Sequence, residues 1–339
     1  MLNHKLPLVF LIICSISLVG CKNAKQKQDA YAHLPAEVAE VYKQLEKHPD
    51  NPSLYVQLTD YYIKSFLLDS ALNNILMAIR LDSTHSDYYL KLSDVYFAMQ
   101  RIDETEEILE KVISMDKSNK EAYLKLAELH FLHKRYKEAH EQLNAVLSID
   151  VFNPKAYFIR GWIYKEEGDT TAAIRSYLKA VEQNPDYIEA YEELGIVYHT
   201  KRDPLAVSYY KNALNIQPEN TQLLYNLAMY YQEVGDNDNA IKNYQMILQI
   251  NPKHVFALHN IGWIYMVKQQ KYEEAVAFFT KAIESDTNYI EAVYNRGLAF
   301  ENLKRYENAR QDYTYSLKLN DKYMLAIEGL NRLDKLQNK

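Results

Sequence analysis

One spacing constrains this chain more than any other feature. Between Pro52 and Tyr323, small residues return about every 34 residues. Gly161, Gly195, Ala228, Gly262 and Gly297 form one series, and Ala139, Ala173, Ala206, Ala240, Ala275 and Ala309 form a second. A proline or polar break closes most of the units so defined, at 52–85, 86–119, 120–153, 154–187, 188–220, 221–254, 255–289 and 290–323. Inside them apolar residues recur at three- and four-residue steps, as in Tyr191, Leu194, Gly195 and Tyr198, which is the period of an α-helix. Gly168-Asp169 and Gly235-Asp236 read as turns between two helices, since glycine accepts the backbone angle that closes a helix. A solenoid grows by stacking such units, so an all-α stack without an internal domain boundary is expected. With 48% hydrophobic and 25% charged residues, the chain can fill a continuous core and still cover its outside.

The clearest copy runs from Pro154 to Tyr187, with Tyr157, Gly161, Tyr164, Ala173, Tyr177, Ala180 and Pro185 at fixed offsets. This pattern resembles the tetratricopeptide repeat (TPR). The resemblance covers 52–323 and implies a TPR superhelical solenoid of antiparallel helix pairs, right-handed, with first helices lining a concave groove. Residues 35–51 resemble the second helix of a repeat that lacks its first, and 324–339 a capping helix, polar on its outer side. Unit 188–220 is one residue short beside Pro204, which is expected to open the second helix. Unit 255–289 is one residue long around Lys268 to Lys271, and both changes are expected to fall in a turn. Phe66 and Leu67 stand where a polar turn is usual, and either cover a neighbour or mark a contact.

Residues 1–20 are a separate object. His4 and Lys5 precede an apolar stretch from Leu6 to Val19, which ends in Leu18-Val19-Gly20-Cys21. A short apolar run after a charged start reads as a secretory signal and is too short to span a bilayer comfortably. Its end resembles a bacterial lipobox, in which cleavage precedes a diacylated cysteine. A plain signal with an incidental Cys21, or a short anchor, are the other readings. Cys14 falls inside the signal, so the mature protein would carry no thiol for a disulfide. Two or three acyl chains anchor far more firmly than one. Lys22 stands where lipoproteins kept at the inner membrane carry Asp, so the resemblance implies an outer-membrane lipoprotein facing the periplasm. Residues 21–34 would be the lipidated N-terminus and a polar, flexible tether.

Catalysis has little to stand on, and no enzyme, metal or cofactor is expected. A formal net charge of -6 gives no basic footprint for nucleic acid. Four of the 8 glycines sit at the packing position, two in turns, one before Cys21 and one, Gly329, in the last helix; none is left for a phosphate loop. His130 and His133 could pair as metal ligands on a helix, but His130 holds the slot of Tyr164, Tyr198 and Tyr231, which favours packing. Most of the 30 tyrosines read as packing too, among them Tyr62, Tyr96 and Tyr265 on first helices and Tyr177, Tyr210, Tyr244 and Tyr313 on second helices.

Residues outside that packing pattern are the candidate site. By the resemblance, a partner lies along first-helix side chains that directly follow the small residue or stand four away. Those positions carry Phe158 and Trp162, then Tyr225 and Met229, then His259, Trp263 and Met266, then Tyr294 and Leu298. Large aromatics and methionines on an inner surface imply a partner, unless a tightly wound superhelix buries them against its own neighbours. In the N-terminal half Asp60, Asp94 and Glu128 take the place of the tryptophans, an acidic entrance that suits a ligand with basic and apolar segments. The expected function is a non-enzymatic, lipid-anchored periplasmic scaffold that binds a protein or peptide in its groove for assembly of an envelope, secretion or cell-wall complex. A periplasmic lipoprotein binding a glycan or small ligand on the same aromatics is the alternative. Acylation is testable directly: Cys21→Ser should abolish labelling by a fatty-acid analogue in cells, and equal labelling of both proteins rules out Cys21 as the lipid site.

Overall fold

The computed structural model describes Tyr31 and residues 34–337, and Cys21 lies outside them. Among the described residues there are helices and no strands. Helix α1 (Ala36–Lys47) precedes the pairs α2 (Pro52–Lys64) with α3 (Leu68–Leu81) and α4 (Ser86–Ala98) with α5 (Ile102–Met115). Then come α6 (Lys120–Leu132) and α7 (Tyr136–Ile149), followed by the pairs α8 (Pro154–Glu166) with α9 (Thr170–Gln183) and α10 (Ile188–Thr200) with α11 (Leu205–Ile216). Helix α12 (Thr221–Glu233) pairs with α13 (Asn237–Ile250), α14 (Val255–Trp263) with α15 (Tyr272–Ser285), and α16 (Ile290–Asn302) with α17 (Tyr306–Leu319); α18 (Met324–Gln337) ends the series. Instead of one undivided stack, the described residues fall into two compact units, divided between Leu129 and His130.

Local chemistry starts and stops these helices. Asn51 and Asn153 precede Pro52 and Pro154, and their side-chain oxygens accept from the backbone N–H of Ser53 at 3.1 Å and Ala156 at 2.9 Å. Asp169 and Asp236 cap second helices in the same way, on Ala172 and Asn239. Between the helices of each pair one residue takes the left-handed conformation. Glycine fills it only at Gly168 (φ 83°) and Gly235 (φ 86°); Phe66, Gln100, Lys134, Arg202, Gln270 and Lys304 hold it with φ between 52° and 61°. Side chains pay a steric penalty there, so repeat geometry overrides residue preference at six turns. Phe66 is 86% exposed and Leu67 52%, so Phe66 is left open to solvent and Leu67 is half covered.

The core rests on one repeated fit between the two helices of a pair. A Cβ added at Gly195 would stand 2.5 Å from a ring carbon of Tyr210, and one at Gly262 2.8 Å from Phe279. Gly161 meets Tyr177 and Gly297 meets Tyr313 in the same manner. Ala228 and Tyr244 hold these two places in the remaining C-terminal pair, inside one buried cluster. Within the N-terminal unit the equivalent places carry Thr59 and Ile75, then Ser93 and Leu109, all at most 1% exposed. In these two pairs a wider first-helix residue goes with an aliphatic second-helix residue, whereas in the five C-terminal pairs glycine or alanine goes with a ring. Summed volume is kept, as close packing requires.

Spacing within this fit locates the two irregular units. In unit 188–220 the missing residue falls after the left-handed Arg202, and Pro204 (φ -57°) stands at the entry of α11. In unit 255–289 the added residue is not in the turn. It widens the end of the first helix into a π-helical segment, Ile264–Lys268, so the left-handed Gln270 comes eight residues after Gly262 instead of seven. At the C-terminus Gly329 of α18 takes the edge of Tyr313 opposite Gly297, with an added Cβ at 2.6 Å. The outer side of α18 is not wholly polar: Met324 is 61% exposed and Leu325 45%.

Gly195→Ala should therefore push on the Tyr210 ring and lower stability by about 1–3 kcal/mol, read as a shift in the urea midpoint. Combining it with Tyr210→Leu removes the ring that the added methyl meets and should cost less than the sum of the two single changes. Strict additivity would separate the two positions energetically.

Candidate functional site

The first-helix residues were expected to face a groove, and the structure sorts them into two groups. Phe158, Met266 and Tyr294 are core residues, 4%, 5% and 9% exposed. Trp162, Tyr225, Met229, His259, Trp263 and Leu298 are half-buried. Counting each first helix from its first residue, Phe158, Tyr225, His259 and Tyr294 share position 5. Each is covered by the residue just before the next first helix. Ring centroids are 5.0 Å apart for Phe158 and Tyr187, 6.1 Å for Tyr225 and His254, 5.1 Å for His259 and Tyr289, and 5.7 Å for Tyr294 and Tyr323. Edge-to-face and tilted aromatic pairs of this kind add to the area they bury. Much of position 5 is thus used by the solenoid itself.

Position 12 is also committed, because it receives the second-helix ring hydroxyl. Tyr244 donates to Gln232 at 3.0 Å and Tyr313 to Glu301 at 2.5 Å, while the Tyr210 hydroxyl lies 3.3 Å from His199 Nδ1. In the π-containing repeat the ring is Phe279, with no hydroxyl, and position 12 is Met266, packed in the same cluster. Tyr177 is the exception: its position-12 residue, Lys165, pairs with Glu193 at 2.7 Å, and the buried Tyr177 hydroxyl has no hydrogen-bond partner among the described residues.

Position 9 carries the two tryptophans. Trp162 lies between Phe131 and Phe158, with centroids at 6.0 Å and 4.5 Å, and its Nε1–H donates to Glu193 at 3.2 Å. Trp263 packs against two buried clusters, and Lys268 Nζ stands 5.5 Å from its ring. Part of each indole stays open to solvent on the first-helix face.

Within the N-terminal unit the acidic entrance is neutralised. Lys91 Nζ is 2.7 Å from Asp60 and 3.7 Å from Asp94, and Lys125 Nζ is 2.7 Å from Asp94 and 3.6 Å from Glu121. Glu128 has electrostatic company as well. The face is a ladder of alternating charges, not an acidic surface. His130 is 4% exposed, which fits packing, and His133 is exposed.

The lysines belong to a row that the sequence reading passed over. Position 6 holds Lys91, Lys125, Glu193, Asn226, Asn260 and Asn295, and each reaches back to the preceding first helix. Asn226 donates to Glu192 at 3.2 Å, Asn260 to Tyr225 at 3.1 Å and Asn295 to His259 Nε2 at 3.0 Å. The return of asparagine at 226, 260 and 295 was the available signal. Asn260 also donates to the Tyr244 hydroxyl at 2.9 Å, and its oxygen is 3.2 Å from His259 Nδ1. The neutral imidazole protonated at Nδ1 satisfies both neighbours, donating to Asn260 and accepting from Asn295. Burial lowers the His259 pKa from its ordinary 6.5, the Asn260 hydrogen bond and Glu291 acting weakly the other way.

Paired helices, a small residue under each ring and a recurring first-helix row define a helical-repeat solenoid. Family models described as TPR repeat or tetratricopeptide repeat match residues 96–158, 161–201, 220–288 and 268–323. The chain belongs to the tetratricopeptide repeat family. Human Tetratricopeptide repeat protein 6 is 26% identical over 145 residues, 43% of this chain and 28% of that protein. Human Protein O-mannosyl-transferase TMTC3 is 34% identical over 100 residues, 29% of this chain and 11% of that protein. This chain therefore spans less than a third of either relative. The C-terminal part of a TPR repeat-containing protein from Cytophaga hutchinsonii shares the fold, with a TM-score of 0.64 at 18% identity over 73% of this chain and 99% of that one.

A buried neutral histidine has a signed consequence. Below its ordinary pKa, His259 binds a proton in the unfolded chain before it does in the folded one, so stability falls on acidification through and below 6.5 and is unaffected well above it. His259→Gln should flatten the urea midpoint between about pH 8 and about pH 5 relative to the unsubstituted protein. Parallel pH profiles would mean that His259 titrates normally.

Proposed function

We propose that this protein is a non-enzymatic, lipid-anchored adaptor of the bacterial envelope, holding a protein or peptide partner on the first-helix face of its C-terminal unit. Two half-buried tryptophans carry the reading. Trp162 and Trp263 occupy the same position of two repeats, each braced on one side by its own core and open on the other. Aromatic anchors held in this way are the residues that dominate binding energy at interfaces. Interaction scaffolding is the general role of the repeat family, which supports a binding function over catalysis. The anchor rests on Leu18 to Cys21, with Cys21 acylated and the chain held at the outer membrane facing the periplasm. Assembly of an envelope, secretion or cell-wall complex is the task that suits a rigid scaffold tethered at that place.

Panning a phage-displayed peptide library on the purified full chain tests the binding reading. Enriched peptides should lose about thirtyfold in affinity, or roughly 2 kcal/mol, on Trp162→Ala with Trp263→Ala. Both indoles also pack on the core, so a small drop in melting temperature is expected while helical circular dichroism is retained. Unchanged affinity per folded molecule would remove the tryptophans from the interface. Enrichment on an oligosaccharide array, with no peptide selected, would favour a glycan ligand instead.

A further inference from the structure

One stretch of the first-helix face differs from its surroundings. Where α8 presents Phe158 and Trp162, and α12 presents Tyr225 and Met229, helix α10 presents Glu192 and Ile196. These narrower side chains, with Thr200 one turn on, leave a cleft of about 470 Å³ between α10 and α12. Glu192 and His199 line one wall, Asn226 and Glu233 the other, and Tyr210 closes the back. The volume lies within the usual range for a ligand pocket.

The polar groups of the cleft are held in place before anything binds. Asn226 donates to Glu192 at 3.2 Å and accepts from Gln222 at 2.9 Å. His199 bridges the Tyr210 hydroxyl at 3.3 Å and Glu233 at 3.2 Å. Among the described residues, no lysine or arginine lines the space. The nearby cations are engaged elsewhere: Lys165 pairs with Glu193 at 2.7 Å, and Lys201 lies 6.0 Å from the Tyr198 ring. Glu192 is half-buried and, among the described residues, takes one amide hydrogen bond and no cation. Burial first, and then the charges of Glu193 and Glu189, push its carboxyl above the ordinary range. Here, unlike at Asp60 and Asp94, no lysine or arginine among the described residues meets the carboxyl.

We propose that the cleft between α10 and α12 seats the lysine or arginine side chain of a bound protein segment, with apolar side chains of that segment resting on Trp162 and Tyr225 to either side. The inference rests on the adaptor reading above and adds the chemistry of the partner. A long aliphatic stem suits the Ile196 floor, and its ammonium or guanidinium group finds the carboxylates of Glu192 and Glu233 with their geometry already set. Trp162 is coupled to the entrance through its hydrogen bond to Glu193, the residue after Glu192. The expected recognition pattern is therefore apolar, basic, apolar.

Fluorescence anisotropy with the full chain and four labelled peptides tests this. The peptides carry lysine, arginine, norleucine or glutamate between two identical apolar triplets. The basic peptides should bind roughly tenfold tighter than the norleucine peptide, with the glutamate peptide weakest. Glu192→Gln together with Glu233→Gln should bring the lysine-to-norleucine ratio close to one, with the melting temperature measured alongside to confirm folding. Equal binding of lysine and norleucine peptides, or a preference that survives the double substitution, overturns the cleft assignment. If all peptides bind alike and lose affinity on Trp162→Ala with Trp263→Ala, the adaptor reading stands and only the cation subsite falls. Binding of none of the four overturns both.

Discussion

An aromatic ring laid on a glycine or alanine of the first helix is the contact on which the C-terminal unit depends. It sets how closely the two helices of a pair approach, because Tyr210 cannot lie over Gly195 at any larger separation without opening a void. Seating the ring also aims its hydroxyl at position 12, so His199, Gln232 and Glu301 become parts of the frame. Where the ring loses its hydroxyl, at Phe279, the frame accepts Met266 in place of a polar group. A residue that looks available in a linear pattern can thus be spoken for by the ring beneath it.

The pairing of helices was legible because it is periodic: a glycine series and an alanine series in register define the two helices before any contact is known. What periodicity does not carry is the partner of each position. Phe158 and Tyr294 read as groove residues because their spacing placed them on the inner side, yet Tyr187 and Tyr323, each just before the next first helix, close over them. A helical side chain leans toward the start of its helix, so its environment is set by such entry residues as much as by angle around the axis. The added residue of the seventh repeat was misplaced for a related reason. An insertion in a turn and a widened helical turn lengthen the unit equally, and only the place of the left-handed residue distinguishes them. The tryptophans at position 9 were legible, since one residue past the glycine turns a side chain about 100° away from the seat.

Charge was read least well. Asp60 and Asp94 stood out by replacing tryptophans, while Lys91 and Lys125, three residues earlier in the numbering of their own helices, went unweighed. Position 6 is where successive first helices meet, and its occupants change character along the chain: lysines onto aspartates, then Glu193 onto Trp162, then asparagines onto Glu192, Tyr225 and His259. Each repeat is thereby matched to its predecessor by a different polar key. Such contacts are weak individually, but a mismatched buried donor or acceptor is costly, which discourages a repeat from docking on the wrong neighbour.

The two irregular units have a consequence for how such a chain changes length. One residue is missing after Arg202 and one is added before Gln270, so from Gly161 to Gly297 the chain advances four whole periods of 34. The deletion displaces the start of a second helix and the insertion displaces the end of a first helix, yet in both repeats a ring still finds its seat. The solenoid therefore counts contacts and not residues. Its phase is reset at every ring, and a slip in one repeat is not inherited by the next. Inheritance by contact lets individual repeats drift in length, lose a hydroxyl or exchange a ring for leucine while the helices downstream keep their places.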